Sequence, residues 1–592
     1  MKHLLSTDRR IPAALEVFFL FSWSCNLTGT DSFFTVYLLC AVIGVLCLCD
    51  NVKTCPVHPR WVRWLTILFS VLFSIATVLA NYPLFEPISS LLNLVNAACS
   101  LAGGYFLAYN VLVCAIHRLP QSVKADARRE ETSPVLVFLI FFAMIAGVFL
   151  LYLFTTGYPV YLAADSLTSM DQITSGVYSN HHPYWYTRFI GLCLNIGYLF
   201  SPDKNVACAV YSSIQCLIMA ACFAYTLVTL YQAGIPRWCI GITFLMYAFL
   251  PYNLTYSITM WKDTLFGGFT LLLVSSLYRI IRKIGKWEWL NYLVFALGGI
   301  GFCLVRNNGL PVLLILAIAM LIFLGKRYKK LLLITLLVLL FAWIMTGPVL
   351  DALNVADTEI VEVLAVPLQQ IARVIANDCP ISDADMDVLS RIFWIDRVKV
   401  LYSPEIVDPI KFEAMQPGGE AYITEHFGAF LGLWVRLGVQ NPGEYVKAWV
   451  ELTKGFWNGG YYFWIYIRWT YPELSGVGGF TMDNPGKDIF DAIFRFAEKP
   501  DILQPLYSIG LQVWIAVSCC FVCFAQKRKE FLIALPMVIL AAVLWFMTPV
   551  YAEFRYAYPM FVTCPMLLAI TVFQGGSAQE RQCKTDTVPV SE

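Results

Sequence analysis

An all-α polytopic membrane protein is the fold class this sequence predicts, on three observations. Hydrophobic residues fill 59% of its 592 positions and charged residues only 14%, with a mean hydropathy of +0.66. A soluble domain carries roughly 25% charged residues. Apolar runs of about 20 residues, the length of a helix that crosses a bilayer, recur along the chain. With the N-terminus placed in the cytoplasm, 24 of the 41 basic residues fall in the inner segments, as short cytoplasmic loops favour. The 41 basic and 40 acidic residues leave a net charge of +1. No overall field draws in a polyanion, so no nucleic acid is expected as a partner.

The runs resolve into fourteen expected helices, at about 11–28, 32–49, 64–81, 91–116, 134–156, 206–232, 238–254, 264–280, 289–305, 310–325, 331–350, 504–524, 531–549 and 556–574. Met1 to Arg10 followed by an apolar stretch resembles a signal peptide. No small-residue cleavage site precedes Cys25, so the segment reads as a retained first helix. The inner connections carry Lys53, Arg60, Arg63, Arg118, Lys124, Arg128, Arg129, Arg279, Arg282, Lys283 and Lys286, then the basic runs at 325–330 and 526–529. Apart from the long segment at about 351–503, the outer segments hold only Arg188, Lys204, Lys262, Arg306 and Arg555. Both termini are therefore expected in the cytoplasm of a multi-pass protein of the cell membrane. Most of the nineteen cysteines lie inside apolar runs, where they act as small hydrophobes.

Two outer segments are long. The first, about 157–205, contains Phe189–Phe200, too short to span and expected at the interface as an amphipathic or re-entrant helix. The second, about 351–503, carries 22 acidic and 12 basic residues and is long enough for a domain of its own. Its second half reads as helical from Gly418 to Trp434, stops and restarts at Asn441-Pro442-Gly443-Glu444, and continues from Tyr445 to Trp457. The aromatic stretch Phe456–Tyr471 suits a membrane surface. The chain thus divides into a four-helix extension (1–133), a seven-helix module (134–350), an extracytoplasmic domain (351–503), a three-helix segment (504–574) and a cytoplasmic tail (575–592).

Reactive side chains cluster in the first outer segment: Asp165-Ser166, Asp171-Gln172, His181-His182-Pro183-Tyr184 and Thr187-Arg188. A carboxylate at a membrane surface can accept a proton as a general base or share a divalent cation with a carboxylate or imidazole. A solvated loop with a His-Pro turn is the plainer alternative. Trp261-Lys262-Asp263, Arg306-Asn307-Asn308-Gly309 and Glu553-Phe554-Arg555-Tyr556 each bring a cation to an outer turn, against the charge rule. A phosphate ligand explains such cations; headgroup anchors explain them too. Three such turns beside the Asp/His segment favour one shared site.

These residues resemble a family. An Asp after a membrane helix, His-His-Pro downstream, Lys-Asp in the next outer loop and Glu553-Phe554-Arg555-Tyr556 before Pro559 look like the GT-C superfamily of membrane glycosyltransferases. The stretches Asp171–Thr187, Met260–Asp263, Arg306–Gly309 and Asn441–Trp457 are similar to a group of bacterial polytopic proteins related to the protein mannosyltransferases. The likeness covers roughly residues 134–574. It implies a GT-C-like module, a polyprenyl-phosphate-linked sugar donor and an extracytoplasmic acceptor, either a cell-envelope glycan or polymer or a protein. Asp165 would be the catalytic base, with Asp263 and Asp171 as further carboxylates. His181 and His182 would orient the donor phosphate or a metal, with Asp165 and His182 as candidate ligands of Mg or Mn. Lys262, Arg306 and Arg555 would neutralise the phosphate, beside Asn307, Glu553 and Tyr556. Ser166 stands where a second acidic residue is expected beside the first, which leaves metal dependence open. A flippase or transporter of lipid-linked oligosaccharides is the alternative, as is a polymerase or ligase of lipid-linked glycans. The near absence of charge inside the expected spans favours the transferase over the transporter.

Overall fold

The apolar runs fold as helices. The structure, a computed structural model, describes residues 7–27, 34–86, 90–122, 133–416, 418–459, 476–478, 485–497 and 503–573. Its principal helices are α1 (Thr7–Leu27), α2 (Phe34–Thr54), α3 (Arg60–Ala80), α4 (Leu91–Ser122), α5 (Pro134–Tyr152), α6 (Ala164–Ser175), α7 (Tyr184–Tyr198), α8 (Lys204–Gln232), α9 (Arg237–Phe249), α10 (Pro251–Ile258), α11 (Lys262–Arg282), α12 (Glu288–Val305), α13 (Gly309–Leu324) and α14 (Lys329–Thr346). After them come α15 (Ala365–Ala376), α16 (Phe427–Gln440), α17 (Pro442–Thr453), α18 (Ile509–Ala525), α19 (Phe531–Met547) and α20 (Phe554–Phe573).

Among the described residues nine helices are long and apolar enough to cross a membrane, ten if the bent pair α9–α10 is one span. The protein is a helical polytopic membrane protein, but this test yields fewer spans than the fourteen expected. The difference has local causes. α18 and α19 have 17 residues each, just under the usual span. The runs at 310–325 and 331–350 join through the tight turn Gly325–Tyr328 into one helical stretch, Gly309–Ala352. The run at 238–254 breaks before Pro251, and α9 and α10 meet at 48°; proline cannot donate the helical hydrogen bond there. Glu16 lies in the middle of α1, and its Oε2 accepts from Asn110 Nδ2 at 2.9 Å.

The main core gathers α5, α8 to α14 and α18 to α20. α11 and α20 are buried over most of their length at its centre. The Gly267-Gly268 pair lets neighbours approach α11 closely: a Cβ there would stand 2.7 Å from the Tyr558 ring and 2.8 Å from the Met219 sulfur. α1 to α4 pack on one another and join the rest through Phe73, edge-on to Trp514 at 5.0 Å, and through Gln526 Nε2, which donates to the Ile116 carbonyl.

Residues 361–445 build a separate core around Leu368, Ile371, Leu389, Ile410 and Leu433. The helix expected from Gly418 to Trp434 is split at His426, between Gly419–Glu425 and α16. The stop at Asn441 and restart at Pro442 occur as the sequence suggests, with proline at the first helical position. Beyond residue 459, the aromatic stretch Phe456–Tyr471 lies outside the described residues. Phe189–Phe200 falls mostly within α7, which packs on α6 and α8.

The two ends of the bundle differ. At one end lie the starts of α6, α11, α13 and α20. At the other, Arg282 pairs with Glu530 at 3.3 Å, and Arg528 donates to the carbonyls of Ile570 and Thr571 near the far end of α20. The basic turns 325–330 and 526–530 therefore sit about 30 Å, the length of a 21-residue helix, from Lys262.

Candidate functional site

Two loops are stitched together by their backbones and so position the candidate side chains. Tyr161 N donates to the Ile258 carbonyl and Met260 N to the Tyr161 carbonyl, at 3.2 and 3.0 Å. α8 seats both loops: Ser212 Oγ donates to the Pro159 carbonyl, and Gln215 Nε2 to the carbonyls of Tyr256 and Thr259. Ser166, buried in the first turn of α6, donates to the Met260 carbonyl and accepts from Ala163 N. The residue standing where a second acid was expected is thus a clamp. It fixes Asp165, its neighbour in the first turn of α6, beside Lys262 in the first turn of α11. Carboxylates in these first turns also meet the positive ends of their helices.

Asp165 Oδ2 accepts from Arg555 Nη1 at 2.7 Å and from Lys262 Nζ at 3.4 Å. Lys262 Nζ also donates to His182 Nδ1 at 3.1 Å. The Arg555 guanidinium lies over Trp261 and Tyr556, 5.1 Å from each ring. Tyr556 is flanked on another side by Arg306 at 4.8 Å. Arg306 in turn pairs with Asp263, whose side chain is fully buried. Among the described residues Asp263 Oδ2 has no hydrogen-bond partner. Glu553 is buried, with its Oε1 3.3 Å from Arg555 Nε. The cluster is not sealed: 25% of the Asp165 side chain stays exposed, with 15% of Lys262 and 16% of Arg555.

Burial opposes ionisation of Asp165, yet Arg555 and Lys262 hold its carboxyl well below the usual carboxylate range. Burial and then Lys262 push the His182 imidazole down to about 3 against the pull of Asp165, so the ring is neutral at any working pH. Burial raises Glu553 to about 7 against Arg555, with Asp263 and Asp165 adding to the rise. Three cations therefore face Asp165 and Asp263, with one further acid poised near neutrality. Lys262 and Arg555 converge on the partly open Asp165, an arrangement of charged donors that can also receive an anion.

Most of the expected residues converge: Asp165, His182, Lys262, Asp263, Arg306, Glu553, Arg555 and Tyr556 form one connected cluster. Three do not join it directly. Asp171 lies six residues beyond Asp165 on α6, on another face, exposed and without an ion pair among the described residues. His181 Nδ1 pairs with Glu359 Oε2 at 3.0 Å, although its ring packs edge-on against His182 at 4.8 Å. Asn307 donates to the Asn180 carbonyl and to Thr358, so it ties the Arg306 turn to neighbouring segments and does not face the cluster. Trp261 and Glu359 were not picked out from the sequence. Trp261 lies within a motif already noted, whereas nothing local marks Glu359, 178 residues from His181.

The donor set does not fit a divalent cation. Asp165 is already compensated by two side-chain cations, His182 turns Nδ1 to an ammonium, and among the described residues no three His, Cys, Asp or Glu side chains gather as ligands. The expected Asp165–His182 metal pair is not supported.

The 351–503 segment reaches the rim of the cluster twice. Asn180 N donates to the Ala356 carbonyl at 2.7 Å, and Thr358 Oγ1 to the Asn180 carbonyl at 2.9 Å. On the other side Val407 N donates to the Pro549 carbonyl and Tyr551 N to that of Glu405. A family model described as a family of unknown function (DUF6020) matches residues 169–586, well over half of the chain. The chain belongs to this family. The match takes in both histidines and all the cluster residues from Lys262 to Tyr556; α1 to α5 and Asp165 precede it. No curated protein and no solved structure matches the chain.

Proposed function

We propose that this DUF6020 member is a membrane glycosyltransferase. In this reading it moves a sugar from a polyprenyl-phosphate donor to an extracytoplasmic acceptor, a cell-envelope glycan or polymer or a protein. Both termini are cytoplasmic, and the Asp165 cluster faces outward. One observation carries the reading: Asp165, partly open, is shared by Lys262 and Arg555, two cations suited to a phosphate. The resemblance to GT-C transferases supplies the sugar.

The acceptor hydroxyl oxygen bonds to the anomeric carbon while the bond from that carbon to the phosphate oxygen breaks. The polyprenyl phosphate leaves with the electron pair, and the hydroxyl proton passes to Asp165. Without donor, Asp165 is a weak base because two cations hold it low. A donor phosphate draws Lys262 and Arg555 to itself, and burial, no longer outweighed, raises the basicity of Asp165 as the substrate arrives. Base and phosphate ligands are thus coupled through one carboxylate oxygen.

The test offers purified protein radiolabelled polyprenyl-phosphate hexoses. Asp165→Asn is expected to lower transfer by about 10²–10⁴-fold, the range for loss of a general base, with its elution profile unchanged. Equal turnover in the variant removes Asp165 from the chemistry. A folded protein that turns over no donor overturns the transferase.

A further inference from the structure

A second feature lies at the end of the bundle remote from Asp165. α3, α13, α18 and α19 leave an open slot of about 500 Å³ between them, lined entirely by apolar side chains that include Phe69, Ile322, Phe323, Phe521, Phe524 and Phe531. That volume lies within the range of small-ligand sites. Phe323 packs edge-on to Phe524 and Phe531, at 6.0 and 4.9 Å, so α13 closes against the α18–α19 turn. Trp61, in the first turn of α3, meets Phe524 edge-on at 5.9 Å.

These contacts bring three basic turns to the same mouth. Arg60 and Arg63 are exposed at the start of α3, Lys326 and Arg327 are exposed just past Phe323, and Lys527 is exposed between Phe524 and Phe531. Lys529 Nζ lies 4.8 Å from the Tyr328 ring. Glu530, the acid in these turns, is buried and turned to Arg282 and Arg528. Among the described residues the five exposed cations have no carboxylate partner. An uncompensated basic rim over an apolar slot matches a molecule with an anionic head and hydrocarbon chains. At the ends of membrane helices, each Lys or Arg adds roughly fivefold to the attraction for an anionic surface.

We propose that this slot binds one anionic phospholipid. Its acyl chain lies among Phe69, Phe323, Phe521 and Phe524, and its phosphate lies on the Lys326-Arg327 and Lys527–Lys529 turns. The basic turns that would hold the phosphate are about 30 Å from the Asp165 cluster, and the site does not depend on the chemistry proposed there.

Native mass spectrometry of detergent-purified protein, offered equal phosphatidylglycerol and phosphatidylcholine, tests it. Phosphatidylglycerol is expected to be retained at least about tenfold over phosphatidylcholine, and K326E/R327E to bring that ratio close to one. Ala319→Trp, which fills the slot, is expected to release both lipids. Should that variant fail to fold, the exposed charge-reversal pair still decides. Equal retention of the two lipids by the unmodified protein overturns the proposal. So does stabilisation by glycerol phosphate, which has no chains, or displacement of phosphatidylglycerol by a polyprenyl phosphate at equal concentration.

Discussion

Arg555 holds the cluster together, because its guanidinium meets Asp165 at one edge, approaches Glu553 at another, and lies over Trp261 and Tyr556. Lysine keeps the charge but loses the planar contacts. Arg555→Lys is therefore expected to raise the donor KM by about tenfold or more while the acceptor KM stays within about twofold. Equal changes in both would make Arg555 a structural anchor. Glu553 gives a pH dependence of defined sign. The folded protein keeps its proton up to about pH 7, whereas an unfolded chain releases it in the ordinary carboxylate range. The stability from this difference is full below that range and is lost as the pH rises through about 7. In the proposed reaction ionised Glu553 would also compete with the donor phosphate for Arg555. Donor KM is accordingly expected to rise above pH 7, by no more than tenfold per pH unit because one proton is involved, and Glu553→Gln to flatten that limb. A limb that persists in Glu553→Gln would assign it to another group.

Arg306 is aimed by a turn, and the turn depends on a glycine. A Cβ at Gly309 would stand 2.0 Å from the Phe302 carbonyl oxygen, a backbone atom that no rotamer change removes. Gly309→Ala must shift the α12–α13 turn and with it the Arg306 contacts to Asp263 and Tyr556. It is expected to cost about 1–3 kcal/mol, as overpacking does, and to raise the donor KM together with the loss of thermal stability. Gly267→Ala, which meets the Tyr558 ring in the core, is expected to cost stability alone. A normal donor KM in folded Gly309→Ala would separate the turn from binding. These elements show what the sequence makes legible. Apolar runs and basic connections locate the helices because both properties are local. The break before Pro251 and the restart at Pro442 have local causes as well. Closure of the site is not local: Arg555 and Asp165 stand 390 positions apart, and Lys262 and Asp165 stand 97 apart. The cations of turns expected outside nevertheless point to it, because they depart from the charge pattern expected of such turns. Asp171 stands apart from the cluster because proximity in sequence does not set the face of α6, and Glu359 carries no local signal because its partner histidine belongs to another loop.

Charge sorts the molecule into two ends, and the packing agrees with that sorting. Lys262 and Arg555 begin the two central helices α11 and α20, while Arg282 at the far end of α11 meets Glu530 in the α18–α19 turn. Tyr328 OH donates to the Ile281 carbonyl, which brings the 325–330 run to that same far end. The acidic 351–503 segment instead joins the Asp165 end through Ala356 and Glu405. If the basic end is cytoplasmic, as the distribution of Lys and Arg favours, then the outer domain, the cluster and the proposed acceptor share the opposite side. Fusions resolve this. Alkaline phosphatase fused after residue 380 is expected to be active and a fluorescent protein there dark, with the reverse after residues 328 and 528. Fusions at 328 and 380 that report the same side would break the link between α14 and the outer domain. A fully inverted result would keep the two-ended architecture but put Asp165 in the cytoplasm, where a cytosolic sugar donor would have to replace the lipid-linked one.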